Sequence, residues 1–375
     1  MRSGKFNILY DAGHGSSAKG AASARLVDLY KVGNCSTNNY PNAGHTVQFG
    51  DRKFVSKVLP TPAGLNMVGR GTPRLWIGPG SGMFMEQFKK ELAETGYAGS
   101  HDVKIHERAV IASEKHVMME KAGSEWSTEH LASTMSGSGA AYAHKVMRRQ
   151  DVELMRDSVF DTLKPATFAK MVQMELDSDG TFLHEVSQGY ALSVDYGTHY
   201  PNCTFRNCTP QQAQADMMIK PINVGDVYMN VRSFPIRVGN VMVDGNQTGY
   251  SGDFCSDQTE LTWDQIAKDA EMPDFMAAEL KKNELTTVTK RLRRVATQSW
   301  SLLAESAKLC GATRVILNFP QYIHWSAYKA RGGEAEFKQM HPKVREYVDK
   351  LEEATNLKVV MIGTSADHDD FIWRP

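Results

Sequence analysis

The sequence predicts an α/β fold with a large, mainly parallel central β-sheet flanked by helices. Short apolar runs with the composition of buried strands recur at residues 6–10, 75–77, 314–318 and 357–363. Segments with helical periodicity lie between them, as expected for parallel strands joined by helical crossovers. A Gly- and Ser-rich turn at residues 11–20 joins the first strand to the first helix. Together these features indicate a P-loop-like arrangement.

The turn at residues 11–20 has the layout of a phosphate-binding loop. It lies between the strand at 6–10 and a helix at 21–30, so backbone N–H groups and a helix N-terminus would point at an anion. Lys19 can add a positive charge, and the hydroxyls of Ser16 and Ser17 are further donors. The Walker A pattern G-x-x-x-x-G-K-[ST] does not occur here. A loop that only connects the strand to the helix is the alternative.

Length and charge restrict the class of protein. A chain of 375 residues can bury a large core, and we expect one domain over residues 1–375 with helical insertions. Lys plus Arg number 43 and Asp plus Glu number 43, so no overall field attracts nucleic acid or an anionic membrane. We therefore expect neither as a partner. No apolar run is long enough to span a bilayer, and the N-terminus lacks the apolar core of a signal peptide.

The five cysteines are odd in number and irregularly spaced. That pattern suits the reduced thiols of a cytoplasmic protein. Cys203 and Cys208 have no second pair at zinc-ligand spacing, so they are interpreted as structural.

Further elements follow along the chain. Residues 35–47 are predicted as a polar loop that ends in a strand. A turn at 78–82 leads into a helix with Phe84, Phe88 and Leu92 on one face, and Val103 and Ile105 indicate another strand. A small-residue loop at 133–142 precedes a helix expected to carry Lys145, Arg148 and Arg149.

The second half continues the alternation of strands and helices. Residues 151–176 are predicted as an amphipathic helix, and 182–201 as a strand followed by a long polar loop that contains Gln188. Residues 227–238 are predicted as one strand. A basic loop at 286–294 precedes a helix that ends near Gly311. Ligands bind open α/β sheets at the carboxyl ends of parallel strands, which is where Gln188 falls.

Five blocks of the chain resemble, in order, the signatures of adenylosuccinate synthetases. The motif Asn42-Ala-Gly-His-Thr-Val47 matches that family's second signature outright. The other four blocks share part of their residues with the family pattern, and the set spans nearly the whole chain. They are residues 15–20 with Val27-Asp28, residues 137–149, residues 185–201, and residues 289–294.

The resemblance implies a two-step ligation. A nucleoside triphosphate would phosphorylate O6 of a 6-oxopurine nucleotide, and L-aspartate would then displace that phosphate from C6. Catalysis of phosphoryl transfer depends on positioning and charge neutralisation. His45 would stabilise the transferring phosphoryl group and act as an acid. The implied catalytic residues are Ser16, His45 and Gln188.

The same resemblance assigns the binding residues. The triphosphate would contact Gly15, Ser16, Ser17, Ala18, Lys19, Gly20, Gly44, His45, Thr46, Arg293, Asn318, Gln321, Gly363, Thr364 and Ser365. The purine nucleotide would contact Ser16, Asn42, Ala43, Ser133, Thr134, Arg148, Gln188, Thr204 and Arg291. Aspartate would contact Thr289, Lys290, Arg291 and Arg293, and arginine forks suit its carboxylates.

The resemblance also implies Mg²⁺ and a homodimer. The metal would be bound by the backbone carbonyl of Gly44 and by Ser16. Arg148 would reach the nucleotide phosphate of the partner subunit.

Three departures from the family pattern are informative. Ser16 stands where the family has an Asp that takes the N1 proton and binds Mg²⁺, and a hydroxyl is a poorer base and metal ligand. Asp11 and His14 in the same turn are candidates for that proton, and a water-mediated path through Ser16 is the alternative. A loop lysine is replaced by Ala21, and an arginine of the third block by Ser136.

The base-reading segment also differs. The family reads guanine through an Asp after a late strand, and this chain has Asn318-Phe-Pro-Gln321 at that point. Gln321 lacks the charge that favours guanine, and a glutamine can pair with an adenine edge. Residues 363–365 stand at the family's final base-contacting segment.

These departures resemble one viral branch of the family, whose members make 2-amino-2′-deoxyadenylosuccinate from dGMP, aspartate and ATP or dATP for DNA that carries 2-aminoadenine. An ordinary adenylosuccinate synthetase that uses IMP and GTP is one alternative. An inactive nucleotide-binding relative is another, and the presence of His45, Gln188, Arg291 and Arg293 argues against it.

Overall fold

The computed structural model describes residues 1–121, 123–125, 127–286 and 290–375. Within these residues the strands are β1 (Phe6–Asp11), β2 (Asn34–Thr37), β3 (His45–Phe49), β4 (Arg52–Ser56), β5 (Arg74–Ile77), β6 (Gly82–Met83), β7 (Val103–Ile105), β8 (Val110–Ile111), β9 (Phe182–Glu185), β10 (Val224–Arg232), β11 (Ile236–Arg237), β12 (Val241–Val243), β13 (Asn246–Gly249), β14 (Glu260–Leu261), β15 (Arg294–Ala296), β16 (Arg314–Asn318), β17 (Val359–Gly363) and β18 (Phe371–Trp373).

The α-helices of the described chain alternate with these strands. They are α1 (Lys19–Tyr30), α2 (Met85–Glu94), α3 (Glu114–Glu120), α4 (Ser138–Val146), α5 (Pro165–Asp177), α6 (Pro210–Asp216), α7 (Trp263–Asp269), α8 (Asp274–Asn283), α9 (Trp300–Leu309), α10 (Glu334–Gln339) and α11 (Pro342–Thr355).

A nine-stranded sheet organises the fold. Its strand order is β18-β17-β16-β10-β1-β9-β2-β5-β7, and every neighbouring pair is parallel except β17 with β18. Helices cover both faces, which is why the central strands are apolar on both sides. The predicted fold class, a large and mainly parallel sheet flanked by helices, is confirmed.

Strand β1 illustrates how the two faces are filled. Ile8 and Tyr10 point into one apolar cluster, to which α5, α9 and α11 contribute. Leu9 points the other way, into a cluster built with α1 and α2. Strand alternation places consecutive side chains on opposite faces, so an unbroken apolar run fits a strand buried on both sides.

The element boundaries differ from the sequence prediction at four places. Residues 35–37, predicted within a loop, belong to β2, and the C-terminal tail adds the edge strand β18. Residues 151–164 are not an α-helix, because helix α5 begins only at Pro165. The predicted strand at 227–238 is two strands in different sheets, β10 and β11.

The basic segment after residue 142 also differs from the prediction. Helix α4 ends at Val146, so Lys145 is helical but Arg148 and Arg149 lie beyond the helix. Arg148 has a positive φ of 56° and is exposed. The N-terminus of α4 is capped by the Glu120 carboxylate, which accepts hydrogen bonds from the amides of Gly137, Gly139 and Ala140.

Parallel pairing brings the strand ends that matter to one edge of the sheet. Asp11 at the end of β1 pairs with Asn230 of β10, and Asn318 at the end of β16 pairs with both Arg232 and Gly363. The loops that follow β1, β2, β9, β10, β16 and β17 therefore meet at this carboxyl edge. That edge is where an open α/β sheet binds its ligands.

All five cysteines are unpaired. In the described part of the chain, helices are too short or too polar to cross a bilayer.

Acid is expected to destabilise the fold through His184. The side chain is fully buried in β9, and burial lowers the pKa of His184 to about 4. Because the unfolded chain titrates near 6.5, the unfolded state binds more protons between about pH 6.5 and 4, so stability is lost as pH falls through this window. The expected loss is ~2 kcal/mol between pH 7 and pH 5, out of ~3 kcal/mol over the whole window. Urea unfolding at pH 7 and pH 5 measures it.

The control is a surface histidine. His184→Gln is expected to flatten the pH dependence of the unfolding free energy, whereas His101→Gln, at an exposed position, should leave the slope unchanged. Equal slopes in the wild type and His184→Gln would contradict the assignment.

Candidate active site

The loop between β1 and α1 leaves a helix N-terminus open to an anion. Gly15, Ser16 and Ala18 have positive φ values of 82°, 50° and 62°. Helix α1 begins at Lys19, and no side chain of the described residues caps it. The first amides of α1 and the helix dipole are therefore available to a phosphate.

Buried polar contacts fix this loop from below. The Asp11 carboxylate accepts hydrogen bonds from the amides of Gly13 (2.6 Å) and Gly15 (3.4 Å), and its other oxygen lies 3.6 Å from Lys19 Nζ. Lys19 Nζ also donates to the backbone carbonyl of Gln188 at 2.6 Å. These contacts join the loop after β1 to the loop after β9.

Close backbone packing adds to that junction. A Cβ atom on Gly189 would lie 2.2 Å from the carbonyl oxygen of Gly13, so only glycine fits there. Gln188, the preceding residue, has a φ of 61°, and its Nε2 donates to the Asn42 carbonyl at 3.4 Å. The three loops that carry Ser16, Asn42 and Gln188 are thus held together.

A chain of neutral amides supports the loop from the next strands. Asn230 Nδ2 donates to the carbonyl (2.7 Å) and to the hydroxyl (2.8 Å) of Ser17. Asn318 Nδ2 donates to Asn230 Oδ1 at 2.9 Å. Asn318, a predicted triphosphate contact, is 1% exposed. The structure places it beneath the phosphate loop, which it supports through Asn230.

His45 is paired with a buried carboxylate. Its Nδ1 hydrogen-bonds to Glu185 Oε1, and Thr61 contacts both oxygens of Glu185 through its hydroxyl (3.1 Å) and its amide (3.4 Å). Burial would raise the pKa of Glu185, but His45 and Thr61 hold it below its usual value. An ionised Glu185 fixes the orientation of the imidazole through Nδ1. The other ring nitrogen, Nε2, is left to act on a ligand.

One cavity gathers much of the predicted purine-nucleotide site. Its wall includes five of the predicted residues, namely Asn42, Ser133, Thr134, Gln188 and Thr204. Asn42 Nδ2 and Thr204 Oγ1 lie 3.3 Å apart, and Arg291 Nη2 donates to the carbonyls of Ala132 (2.8 Å) and Ser133 (3.1 Å). These residues come from loops far apart in the sequence, so the fold assembles the pocket.

The other predicted nucleotide contacts lie elsewhere. Ala43 is buried, Ser16 and Gly44 are exposed, and the exposed Arg148 is not in the wall of this cavity. Thr46 is half-buried in β3. Gly20 packs against Thr61 and against the start of strand β3, which carries His45. A Cβ added to Gly20 would lie 3.0 Å from the Thr61 side chain.

The predicted base-reading residues cluster after β16 and β17. Gln321 is 8% exposed, and its Oε1 has no hydrogen-bond partner in the described part of the chain. Thr364 is buried and donates to the Ala330 carbonyl at 2.7 Å, while Ser365 bonds to Asp370. A Cβ on Gly363 would lie 2.2 Å from Asn318 Oδ1, so the two segments pack closely at this point.

The predicted aspartate-binding segment is partly described. Thr289 lies outside the described residues, and Lys290 is exposed. Arg293 Nη1 contacts Glu284 Oε2 at 3.4 Å, and its buried Nε has no hydrogen-bond partner among the described residues. Burial lowers the pKa of Arg291 and Arg293. Both remain cations that suit a carboxylate ligand.

Two residues of the cavity wall were not assigned to the nucleotide site from the sequence. Arg237 had no assignment, and His14 was only a candidate for the N1 proton. His14 is 7% exposed, and neither ring nitrogen has a hydrogen-bond partner in the described chain. Burial and the charges of Arg237 and His199 lower the pKa of His14 well below 6.5. Arg237 is also buried, and burial beside Arg294 lowers its pKa to about 10. The sequence signal for Arg237 was a charge inside the apolar run at 234–238.

In the described part of the chain, the cluster of side chains that could share a metal ion does not include a residue of the phosphate loop. Among the described residues, Asp28, His368 and Asp369 are the group of His, Cys and acidic side chains close enough to share an ion. Arg70 and Lys31 pair with Asp28, and Arg25 and Arg70 pair with Asp369, so this group is a salt-bridge network. Ser16 and Gly44 are exposed hard-oxygen donors, which fits an ion held mainly by phosphates.

Comparison with known families agrees with this geometry. The family model described as adenylosuccinate synthetase matches residues 13–173 and 154–320, which include most of the phosphate loop, strand β3 with His45, and the cavity. The chain belongs to the adenylosuccinate synthetase family.

Members of the family from bacteriophages resemble the chain across most of its length. The N6-succino-2-amino-2′-deoxyadenylate synthase of Vibrio phage phiVC8 is 31% identical, with 84% of this chain and 86% of that protein covered. The synthase of the same name from Salmonella phage PMBT28 is 30% identical over 85% and 86% of the two chains. The adenylosuccinate synthetase of Methanocaldococcus jannaschii is 28% identical over 87% and 84%.

Solved structures of adenylosuccinate synthetase family members share the fold. Cyanophage S-2L succinoaminodeoxyadenylate synthetase, bound to dGMP and to dATP as an energy donor, superimposes with a TM-score of 0.78 at 26% identity, covering 100% of this chain and 96% of that one. Adenylosuccinate synthetase from Plasmodium falciparum has a TM-score of 0.79 at 15% identity, with 98% and 99% covered, and supports the fold alone.

Proposed function

We infer that this chain is a carbon–nitrogen ligase that joins L-aspartate to C6 of dGMP, driven by ATP or dATP. The product is 2-amino-2′-deoxy-N6-succinyladenylate, a precursor of 2-aminoadenine in phage DNA. The observation that carries the choice of substrate is Ser16, a small neutral residue in a loop that retains Lys19, in a chain that also retains the His45–Glu185 pair. The phage relatives, and the S-2L structure with dGMP and dATP, support the same choice.

In the first proposed step, the γ-phosphoryl group passes from the triphosphate to O6 of the purine. The open N-terminus of α1 and Lys19 neutralise phosphate charge, and His45, fixed by Glu185, stabilises the transferring group through Nε2. Gln188, tied to Asn42 and Lys19, positions the base. In the second step the amino group of aspartate attacks C6 and the 6-phosphate leaves.

Proton removal from N1 needs a group other than the lost carboxylate. Asp11 is engaged by two amides and Lys19, whereas His14 lies in the cavity wall.

Mg²⁺, held by the phosphates with Ser16 and the Gly44 carbonyl, would neutralise charge on the transferring phosphoryl group. In this proposal, Arg291 and Arg293 bind the aspartate carboxylates, and Thr289 and Lys290 contribute further contacts.

We propose that the enzyme is a homodimer. Arg148 is exposed just beyond α4 and is absent from the wall of its own chain's cavity. A second copy that contributes Arg148 to the nucleotide phosphate accounts for that position. The proposed place of action is the cytoplasm of the phage host.

An ordinary adenylosuccinate synthetase is the second candidate, since the archaeal relative has that name. Ser16 and Gln321 both oppose it, because the first lacks the carboxylate that serves IMP and the second lacks the charge that favours guanine in GTP.

A substrate matrix separates the two candidates. Wild-type enzyme is expected to convert dGMP with ATP or dATP, and to use IMP poorly, when dGMP, GMP and IMP are crossed with ATP, dATP and GTP and the products are read by mass. A 2-amino group needs room beside N1, and Ser16 gives that room. Efficient turnover of IMP without reaction of dGMP would overturn the proposal.

Two variants at position 16 test the reason. Ser16→Asp is expected to leave dGMP turnover no better and to restore some use of IMP, because a carboxylate fills the space and supplies the base. Ser16→Ala is the matched control, which keeps the room and removes the hydroxyl. It should retain the preference for dGMP over IMP.

A further inference from the structure

The carboxylate of Glu284 lies at the meeting point of three segments. It follows α8 and is 2% exposed. Its Oε1 accepts hydrogen bonds from Arg232 Nη2 at 2.6 Å and from Tyr322 Oη at 2.5 Å, and Arg293 Nη1 lies 3.4 Å from its Oε2. A buried carboxylate with two guanidinium partners is held by charge as well as by geometry.

Arg232 extends this contact to the phosphate loop. Its Nη1 donates to the backbone carbonyl of Ser16 at 2.8 Å, while its Nη2 contacts Glu284. The guanidinium lies 4.0 Å from the centre of the Phe319 ring, which keeps it in one orientation. One planar cation therefore joins Glu284 to the residue that distinguishes this loop.

Arg293 is held so that part of its fork stays available. Its backbone amide donates to the Glu284 carbonyl at 3.0 Å, and Nη1 contacts the carboxylate. The buried Nε has no partner in the described residues, so a donor remains for a ligand. Tyr322, the third partner, adjoins Gln321. The segments predicted to contact the phosphates, the nucleobase and aspartate are thus tied to one side chain.

We propose that Glu284 is a positioning residue that sets the aspartate-binding Arg293 against the triphosphate loop. This inference rests on the proposed ligase function. Removing the charge of Glu284 leaves Arg232 and Arg293 as buried cations without their shared counter-ion, and both reorient to find other partners. Arg293 then presents its fork to aspartate in a less favourable geometry, and the Ser16 loop loses an anchor. The predicted purine-binding residues in the cavity wall, unlike Ser16, come from other loops and keep their contacts.

Glu284→Gln tests this with little change of shape. The apparent aspartate KM is expected to rise by ~10-fold, the scale of one weakened charge-assisted hydrogen bond. The KM for the triphosphate should rise less, and the KM for dGMP should stay near the wild-type value. Steady-state kinetics with each substrate varied in turn measures all three, and circular dichroism and thermal midpoints report folding.

Asp226→Asn is the matched control. Asp226 is equally buried on β10, at the opposite end of that strand from Arg232, and it also pairs with two cations, the N-terminus and Arg2. The substitution removes a buried charge from β10, the strand that also carries Arg232, and leaves the ligand-binding loops unchanged. It should lower stability and leave the aspartate KM unchanged.

The aspartate KM values of the two variants decide whether the proposal holds. An aspartate KM that rises in Glu284→Gln and not in Asp226→Asn supports the proposal. An unchanged aspartate KM, or equal rises for all three substrates, overturns it. If Glu284→Gln does not fold, Tyr322→Phe decides, because it removes one bond to Glu284 and should raise the aspartate KM alone by a smaller factor. Absence of aspartate-dependent turnover in the wild type would instead contradict the proposed ligase function.

Discussion

His45→Ala is expected to lower turnover by at least ~10²-fold while the protein remains folded, the scale for a lost acid or electrostatic stabiliser. His45 has the one imidazole in the site that is fixed by a buried carboxylate, Glu185, within the described residues. In the proposed mechanism, alanine removes both the donor to the transferring phosphoryl group and the proton for the leaving oxygen. Phosphate release and product formation under saturating substrates measure the effect.

Two further variants delimit this prediction. Glu185→Gln keeps the size of the partner and removes its charge, so turnover should fall in the same direction but by less than in His45→Ala. His101→Ala, at an exposed position away from the carboxyl edge, should behave like the wild type. Near-normal turnover of folded His45→Ala would remove His45 from the proposed mechanism.

Arg291→Ala or Arg293→Ala is expected to weaken the use of aspartate far more than the binding of nucleotides. A truncated arginine leaves a substrate carboxylate unpaired, which costs roughly 2–5 kcal/mol. Arg291 also supports the pocket wall at Ala132 and Ser133, so its loss should raise the dGMP KM slightly as well. Aspartate and dGMP KM values, measured in parallel, check this pattern.

Lys290→Ala provides the comparison for the aspartate grip. Lys290 is exposed, so water screens the charge of its ammonium and we expect it to be the weakest of the proposed contacts. We expect a change well below that in either arginine variant. If the aspartate KM is unchanged in both arginine variants, the proposed aspartate site is wrong.

The longer apolar strands of the central sheet were predictable, whereas the polar strand β2 and the short edge strand β18 were not. Strand β2, with the sequence Asn-Cys-Ser-Thr, is buried at every position, yet its composition resembles a loop. The fold satisfies those side chains at long range, for example Ser36 with His184 Nδ1 and Asn34 with Trp76 Nε1. A sequence window contains none of those partners, so periodicity alone could not identify the strand.

The site shows the same division. The phosphate loop and the His45 motif are local patterns, and both were visible in the sequence. The partners that orient them are remote, since Glu185 lies 140 residues from His45 and Glu284 lies 52 residues from Arg232. Glu185 stood inside a recognised block without a role, and Arg232 and Glu284 had no local signal. Pairing across a parallel sheet brings such residues together only after folding.

The hydrogen-bonded series Asn318–Asn230–Ser17 affects how the preference for one nucleobase in the energy donor can evolve. Asn318 supports the phosphate loop through Asn230, whereas Gln321, three residues further on, is the side chain we propose to read the nucleobase. The two tasks are divided between different residues of one short segment. A substitution at Gln321 changes the donors and acceptors that face the base and leaves the Asn318–Asn230–Ser17 chain unbroken. A lineage can therefore exchange one energy-donor nucleotide for another without rebuilding its phosphate site.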